Sequence, residues 1–196
     1  MLDLKGIRKT FNPGSITEKK ALQGIDLHLN DGDFVTIIGG NGAGKSTLLN
    51  RLTDAGILAE NKLFATLDPT TRQYTLPSGD KILLTDTVGF IRKLPHHLIQ
   101  AFRSTLEEAK YADLILHVVD ASNPQMETQM EVVREILQEL KITGKPMVTV
   151  FNKMDNYSHE IMPRDGQADK IVYLSALTGE GTEKLKTVLS DLLRGQ

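Results

Sequence analysis

A glycine-rich stretch that carries a lysine and a serine lies between a predicted strand and a predicted helix. Its residues are Gly39, Gly40, Asn41, Gly42, Ala43, Gly44, Lys45, Ser46 and Thr47, of which the first eight match the pattern G-x-x-x-x-G-K-[ST]. The glycines let backbone N–H groups face phosphate oxygens, and the helix N-terminus adds partial positive charge. Lys45 would reach the β- and γ-phosphates, and the Ser46 hydroxyl would ligate Mg²⁺. The pattern predicts that residues 41–47 hold the phosphates of a nucleotide.

A carboxylate follows another apolar strand pattern in the sequence Asp86-Thr87-Val88-Gly89. Open α/β sheets bind ligands at the carboxyl ends of their strands. We therefore expect Asp86 to lie beside the phosphate loop and to hold Mg²⁺ through water, with the Gly89 N–H near a γ-phosphate. An aspartate that ends a strand is by itself more often a turn residue, so this prediction depends on the loop upstream.

The sequence Asn152-Lys153-Met154-Asp155 ends a later strand pattern. A carboxylate at Asp155 can accept hydrogen bonds from the N1–H and the exocyclic amine of guanine, a pair of donors that adenine does not offer. The stem of Lys153 would lie over the ring. After the last strand pattern, Ser175-Ala176-Leu177 would bring a backbone N–H toward the guanine oxygen. Together these residues predict GTP or GDP as the ligand, although either motif alone is also consistent with a polar strand exit.

Short apolar runs alternate with helical patterns from Phe34 onward, which is typical of a mostly parallel sheet covered on both faces. Residues 1–30 alternate as an antiparallel β ribbon. We predict an α/β fold in a single domain, 1–196: a P-loop NTPase three-layer sandwich in GTPase-like strand order, with the phosphate-loop strand next to the Asp86 strand. The predicted strands are 34–38, 72–76, 81–85, 114–119, 147–151 and 171–174, and the predicted helices are about 45–53, 96–110, 125–141 and 182–194.

Composition excludes several classes of function. The 196 residues include 23 Lys and Arg against 25 Asp and Glu, a net charge of −2, and no cysteine. This balance gives no reason to expect a DNA-binding face, and without cysteine there are no disulfides or thiolate metal sites. No apolar run approaches the roughly 18 residues of a membrane span. We expect a cytoplasmic, monomeric protein without a membrane or DNA partner, and we interpret His117 as a core histidine whose hydrogen bonds are satisfied.

Two longer stretches carry a family resemblance, 62–72 (KLFATLDPTTR) and 84–96 (LTDTVGFIRKLPH). From about Asn50 to its end, the chain resembles the G domain of HflX-type GTPases, in the Obg-HflX group. The resemblance implies that Thr66 is the switch I threonine that closes on Mg²⁺ and the γ-phosphate, and that 86–97 is switch II. It thereby makes Lys45, Thr66 and Gly89 the catalytic residues. Ribosome binding is a property of that family which we do not expect here, because the separate N-terminal domain of the family is missing from this sequence.

The first 50 residues resemble a different family. The stretches 4–11 (LKGIRKTF), 21–27 (ALQGIDL), 31–38 (DGDFVTII) and 42–50 (GAGKSTLLN) are similar to the opening of an ABC-transporter ATP-binding subunit, although the L-S-G-G-Q signature of that family does not follow. We therefore predict a chimera, engineered or selected, with a natural protein that has an unusual ribbon as the alternative. An ATP-binding protein with an ABC-like adenine preference and a folded scaffold with little nucleotide affinity are the alternative functions.

The resemblance to HflX-type GTPases also predicts a slow reaction. Proteins of that family commonly carry Asn at the fourth position of the phosphate loop, where it helps to hold a potassium ion, whereas this chain has Gly42. Phe90 follows Gly89 in place of the glutamine that orients water in Ras-like proteins. We expect weak GTPase activity that potassium does not stimulate. Candidates for assistance by position alone are Arg72, Arg92, Lys93 and His96, with a solvated residue of the switch region as the alternative interpretation of each.

Overall fold

The computed structural model describes residues 2–11, 19–29, 32–53, 70–87 and 108–194. Backbone contacts divide the chain into two compact units, Met1–Gly32 and Asp33–Gln196. The organisation of residues 1–196 as a single domain stays a prediction.

The first unit contains an antiparallel hairpin of β1 (Leu2–Phe11) and β2 (Lys19–Leu29). Leu2 pairs with Leu29 and Phe11 with Lys19, and irregularities interrupt the register between them. The ribbon predicted from the alternation of apolar residues is confirmed.

The second unit contains a six-stranded sheet in the order β4-β5-β3-β6-β7-β8. All neighbouring strands are parallel except β4 and β5, which are antiparallel. Its strands are β3 (Phe34–Ile38), β4 (Thr70–Thr75), β5 (Lys81–Asp86), β6 (Leu114–Asp120), β7 (Met147–Asn152) and β8 (Lys170–Tyr173). The predicted fold class is confirmed, and β3 lies next to β5 as expected. β4 and β5 form an antiparallel hairpin.

The helices in the described residues are α1 (Lys45–Leu52), α2 (Met126–Glu139) and α3 (Thr182–Arg194). Short 3₁₀ helices cover Glu108–Tyr111 and Met154–Asn156. Most of the helix predicted at 96–110 lies outside the described residues, and its described end is 3₁₀. Among the described residues, no helix combines the length and hydropathy that a bilayer crossing requires.

The sheet positions the site because its central strands are buried against a core of apolar side chains. Every residue of β6 is buried, as expected for a strand covered on both faces. The apolar face of α3, with Leu185 and Leu189, belongs to the same buried cluster as Leu48 of α1 and Leu84 of β5. The polar ends of β5 and β7 therefore emerge from a rigid core at the edge where the phosphate loop begins.

Candidate nucleotide-binding site

The phosphate loop connects β3 directly to α1, and two of its glycines cannot be replaced without displacing backbone or packed side chains. Gly39 has φ +153°, and a Cβ there would lie 2.1 Å from the carbonyl oxygen of Val118. Gly44 has φ +89°, and a Cβ there would lie 2.3 Å from Nδ2 of Asn152. Positive φ and close approach are the two conditions that favour glycine. The loop is thus wedged between β6 and the end of β7.

The Lys45 side chain turns back over this loop. Its Nζ donates to the carbonyl oxygens of Gly39 at 3.1 Å and Gly40 at 3.2 Å, and the residue is 7% exposed. Burial lowers the pKa of Lys45, while the Asp86 carboxylate acts in the opposite direction. The amide Nδ2 of Asn41 is also buried and has no acceptor among the described residues. The loop therefore holds a desolvated cation and a buried N–H donor, both of which an anion would stabilise.

Ser46 and Asp86 meet at the start of α1. The Ser46 hydroxyl donates to Oδ2 of Asp86 at 2.6 Å, and Asp86 is 1% exposed. Thr87 fixes the end of β5, because its hydroxyl and its N–H both donate to the carbonyl of Ile37.

A hydroxyl beside a buried carboxylate fits Mg²⁺, which prefers oxygen ligands and usually keeps ligand phosphates and waters in its coordination shell. The described residues contain no group of three His, Cys, Asp or Glu side chains able to hold a metal. An ion at Ser46 and Asp86 would therefore depend on oxygens from phosphate or water.

Asn152 joins the phosphate loop to the loop that follows β8. Its Nδ2 donates to the carbonyl of Ala43 at 2.7 Å, and its Oδ1 accepts from the N–H of Ala176 at 2.8 Å. The Ala176 N–H is thus engaged by Asn152, whereas the N–H of Leu177 has no acceptor in the described part of the chain. Asn152 is buried, and it lies 109 residues from Ala43 and 24 residues from Ala176 in the sequence.

The remaining residues of the predicted base site lie at the same sheet edge. Lys153 has φ +63°, and its Nζ forms an ion pair with Oδ2 of Asp120 at 2.7 Å. Asp155 lies in the 3₁₀ helix that follows and is exposed. Ser175 is buried and closes its loop by accepting from the N–H groups of Thr178 and Gly179.

Sequence reasoning missed Asp120 and Arg51. Asp120 ends β6, a position analogous to that of Asp86, so the same signal could have identified it. Arg51 donates through Nε to the carbonyl of Ala176 at 3.1 Å and through Nη2 to the carbonyl of Leu177. An arginine in the last turn of a helix is typically solvated, so no local signal pointed to this contact.

Several predicted residues lie outside the described residues. They are Thr66, Gly89, Arg92, Lys93 and His96. Arg72 is described, and its guanidinium donates to Oδ1 of Asn50 at 2.6 Å and to the Thr53 hydroxyl at 3.2 Å. Arg72 therefore binds the C-terminal end of α1, whereas Lys45 lies at its N-terminal end, and it is not placed to assist at the phosphates.

The interpretation of His117 as a satisfied core histidine is wrong in its second part. His117 is 1% exposed, but its Nδ1 has no hydrogen-bond partner among the described residues. Burial lowers its pKa to about 4; Asp165 opposes this shift, and Arg134 and Lys45 add to it. The run of apolar neighbours predicted burial correctly, but a strand pattern carries no information about partners.

The fold and the loop geometry define a P-loop nucleotide-binding domain, and the comparisons identify its family. Residues 34–153 match the family described as "50S ribosome-binding GTPase". This match covers more than half of the chain, and the chain therefore belongs to that family.

Individual relatives agree with this assignment. The chain is 66% identical over 160 residues to GTPase HflX from Lacrimispora saccharolytica, a match to 82% of this chain and 38% of that protein. It is 39% identical over 183 residues to GTPase HflX from Escherichia coli K12, a match to 91% of this chain and 43% of that protein. Thus the chain spans about two fifths of the length of these relatives.

A solved structure shares the fold. A GTP-binding protein from Sulfolobus solfataricus in complex with GDP superimposes with a TM-score of 0.69 at 27% identity, covering 83% of this chain and 53% of that one.

Proposed function

We propose that this chain binds GTP or GDP together with Mg²⁺ and hydrolyses GTP slowly. The observation that carries the proposal is the Asn152 bridge, which unites the phosphate loop at Ala43 with the Ser175–Leu177 loop at Ala176. Because Asp155 follows Asn152 by three residues, the bridge supports the proposal that Asp155, Lys153 and the phosphate loop would contact one nucleotide. The GDP complex of the Sulfolobus protein supports the same ligand.

Each end of the nucleotide would meet a different set of groups. At the phosphate end, Lys45, the Asn41 amide and the N–H groups of the loop would neutralise the phosphate oxygens. Ser46 and Asp86 would hold Mg²⁺, which supplies charge neutralisation when bound. At the base end, Asp155 would accept from the N1–H and the amine of guanine, and Lys153 would lie over the ring.

Slow hydrolysis follows from what the sequence lacks. We propose Thr66 and Gly89 as the groups that close on the γ-phosphate and Lys45 as the residue that stabilises its developing charge. Gly42 takes the position at which an asparagine helps to hold potassium in HflX-type proteins, and Phe90 takes that of a water-positioning glutamine. Binding should therefore survive better than catalysis.

Calorimetric titration of the chain with GDP and ADP, each with Mg²⁺, tests the ligand. We expect GDP to bind at least about tenfold more tightly, since a site that hydrogen-bonds a ligand N–H rejects analogues that lack it. Asp155→Asn should abolish this preference and favour xanthosine diphosphate, whose C2 oxygen accepts from an amide. The matched control is Asp191→Asn on the exposed face of α3. Equal affinity for GDP and ADP would contradict the guanine assignment. If neither nucleotide binds, the chain is the folded scaffold with little nucleotide affinity.

Single-turnover hydrolysis of GTP in potassium and in sodium buffers tests the catalytic part. We expect the same slow rate in both salts. Gly42→Asn is the informative variant, because it restores the amide oxygen and should create a potassium dependence if the loop is otherwise intact. A large potassium acceleration in the unmodified chain would overturn this part of the proposal.

We also propose a chimeric origin, with an ABC-type ribbon and phosphate loop joined near residue 50 to a GTPase body. The support is the set of stretches within 4–50 given above. The match to the Escherichia coli protein covers 91% of this chain. The uncovered part is too short for the match to exclude β2. This favours the alternative of a natural protein with an unusual ribbon. ADP binding tighter than GDP would favour an ABC-like function.

Finally, we propose a monomeric, cytoplasmic protein whose ligand is a guanine nucleotide. The near-neutral charge supports the absence of a DNA partner. Light scattering coupled to size exclusion tests the oligomeric state.

A further inference from the structure

Arg51 lies in the last turn of α1, yet its guanidinium binds a loop 125 residues away in the sequence. Nε donates to the carbonyl of Ala176 at 3.1 Å, and Nη2 donates to the carbonyl of Leu177. The guanidinium also lies 3.7 Å from the point that a Cβ on Gly179 would occupy. Two donors of a rigid, planar fork thus engage two successive carbonyls, which a flexible ammonium could not do in the same way.

This contact sets the direction of a backbone donor. A trans peptide group is planar, so its C=O and N–H point in opposite directions, and the described residues contain no cis peptide bond. Because Arg51 holds the Ala176 carbonyl, the N–H of Leu177 points away from Arg51. Asn152 meanwhile accepts from the N–H of Ala176. Of these two neighbouring N–H groups, the one at Leu177 is left for a ligand, since no described residue accepts from it.

We propose that Arg51 is a positioning residue for base recognition: it orients the Leu177 N–H so that this group donates to O6 of guanine. The inference rests on the proposed function, because it requires a guanine nucleotide in the pocket. Arg51 acts through the loop, and Asp155 reads the other edge of the same base. The two residues should therefore control different atoms of the ligand.

The test compares three ligands on four proteins by calorimetry: GDP, 6-thio-GDP and inosine diphosphate on the unmodified chain, Arg51→Ala, Arg51→Lys and Arg194→Ala. Sulfur in 6-thio-GDP accepts hydrogen bonds poorly while the N1–H and the amine are kept, so its ratio to GDP reports on O6. Inosine diphosphate lacks the amine, so its ratio reports on Asp155. Arg194→Ala is the matched control, since Arg194 binds Asp80 and the Ser78 carbonyl on an exposed surface.

We expect the unmodified chain to prefer GDP over 6-thio-GDP by about five- to tenfold, the size of one neutral hydrogen bond. Arg51→Ala should reduce this ratio to less than about twofold, with Arg51→Lys in between, while the ratio to inosine diphosphate stays unchanged. If Arg51→Ala does not fold, the ratio of GDP to 6-thio-GDP affinity in Arg51→Lys is the deciding measurement. A uniform loss of affinity with both ratios unchanged would overturn the inference, because Arg51 would then only pack the loop.

The two proposals can fail separately. If the unmodified chain prefers GDP to ADP but binds 6-thio-GDP as tightly as GDP, only the role of Arg51 is overturned. If it does not prefer GDP to ADP, the guanine site itself is overturned, and the role of Arg51 is overturned with it.

Discussion

The two ends of the candidate site are built in different ways. Among the described residues, one continuous segment, 39–46, supplies most of the phosphate end, and Asp86 joins it from 40 residues beyond Ser46. The base end is assembled from β7 and the loop after β8, and it is held by Asn152 and Arg51 across 109 and 125 residues. Local chain conformation therefore shapes the phosphate end, whereas long-range hydrogen bonds shape the base end.

The ends also differ in burial. Lys45 and Asp86 are 7% and 1% exposed, while Leu177 is 70% exposed and Asp155 is exposed as well. Buried charges have perturbed pKa values and strong interactions, whereas exposed groups are screened by water. This difference suggests that the phosphate end supplies affinity for any nucleotide and the base end supplies discrimination between nucleotides.

The largest expected effect is that of Lys45→Met. Affinity for GDP and ADP should both fall about a hundredfold or more, because Lys45 Nζ would donate to charged phosphate oxygens in both complexes, and hydrogen bonds to charged groups are worth roughly 1.5–3 kcal/mol each. Calorimetry measures both ligands. The ratio of GDP to ADP affinity should not change.

Lys184→Met on the exposed face of α3 is the matched control. The free energy of unfolding without nucleotide should not fall in Lys45→Met, since the variant removes a cation whose burial already lowers its pKa. If Lys45→Met changes the ratio of GDP to ADP affinity without a general loss of affinity, the phosphate end does not supply affinity for both nucleotides as we expect.

His117 gives the phosphate side of the sheet a pH dependence of stability. It pairs with Ile38, the residue before the phosphate loop, and its pKa is lowered from 6.5 to about 4. Between these values the unfolded chain binds a proton that the folded chain does not, so the free energy of unfolding falls as the pH decreases from about 6.5 to about 4. The contribution is on the order of 3 kcal/mol at most.

Denaturant unfolding at several pH values checks this prediction. His117→Gln should flatten the profile in that window, and His159→Gln, at an exposed site, should leave it unchanged. Asp165 adds a second loss of stability at lower pH, because its pKa in the folded chain lies below the ordinary value of 3.8. Burial alone would raise its pKa, but hydrogen bonds from Gln167 and Thr149 and the charge of Arg134 lower it. An unchanged profile in His117→Gln would mean that His117 does not cause the pH dependence of the free energy of unfolding in this window.

The contrast between the ends also explains what the sequence could predict. The strand at 34–38 and the helix at 182–194 have the predicted bounds, because their apolar periods are local properties. The phosphate loop is equally local, since Gly39 and Gly44 have φ values that favour glycine. Such features are encoded within a few residues, and the family pattern specifies their order in the sheet.

The base end could be predicted only in part. The residues Asn152 and Asp155 are recognisable by type and position, but nothing in their neighbourhood reveals that Asn152 binds Ala43 or that Arg51 binds Ala176. These contacts depend on the packing of α1 against the loop after β8. In the same way, the strand pattern around His117 predicts burial without predicting its partners.

The smallest expected effect is that of Asn152→Ala, and it isolates the bridge between the two ends. The change would leave the carbonyl of Ala43 and the N–H of Ala176 without their partner, at a cost of about 1–3 kcal/mol in the free energy of unfolding. GDP affinity should fall about tenfold and ADP affinity less, because the base loop loses its tether while Lys45 keeps its place. Chemical denaturation and calorimetry measure these changes, with the exposed Asn156→Ala as the control. Equal losses for GDP and ADP would mean that Asn152 supports the phosphate loop instead, and the two ends would then be one cooperative unit.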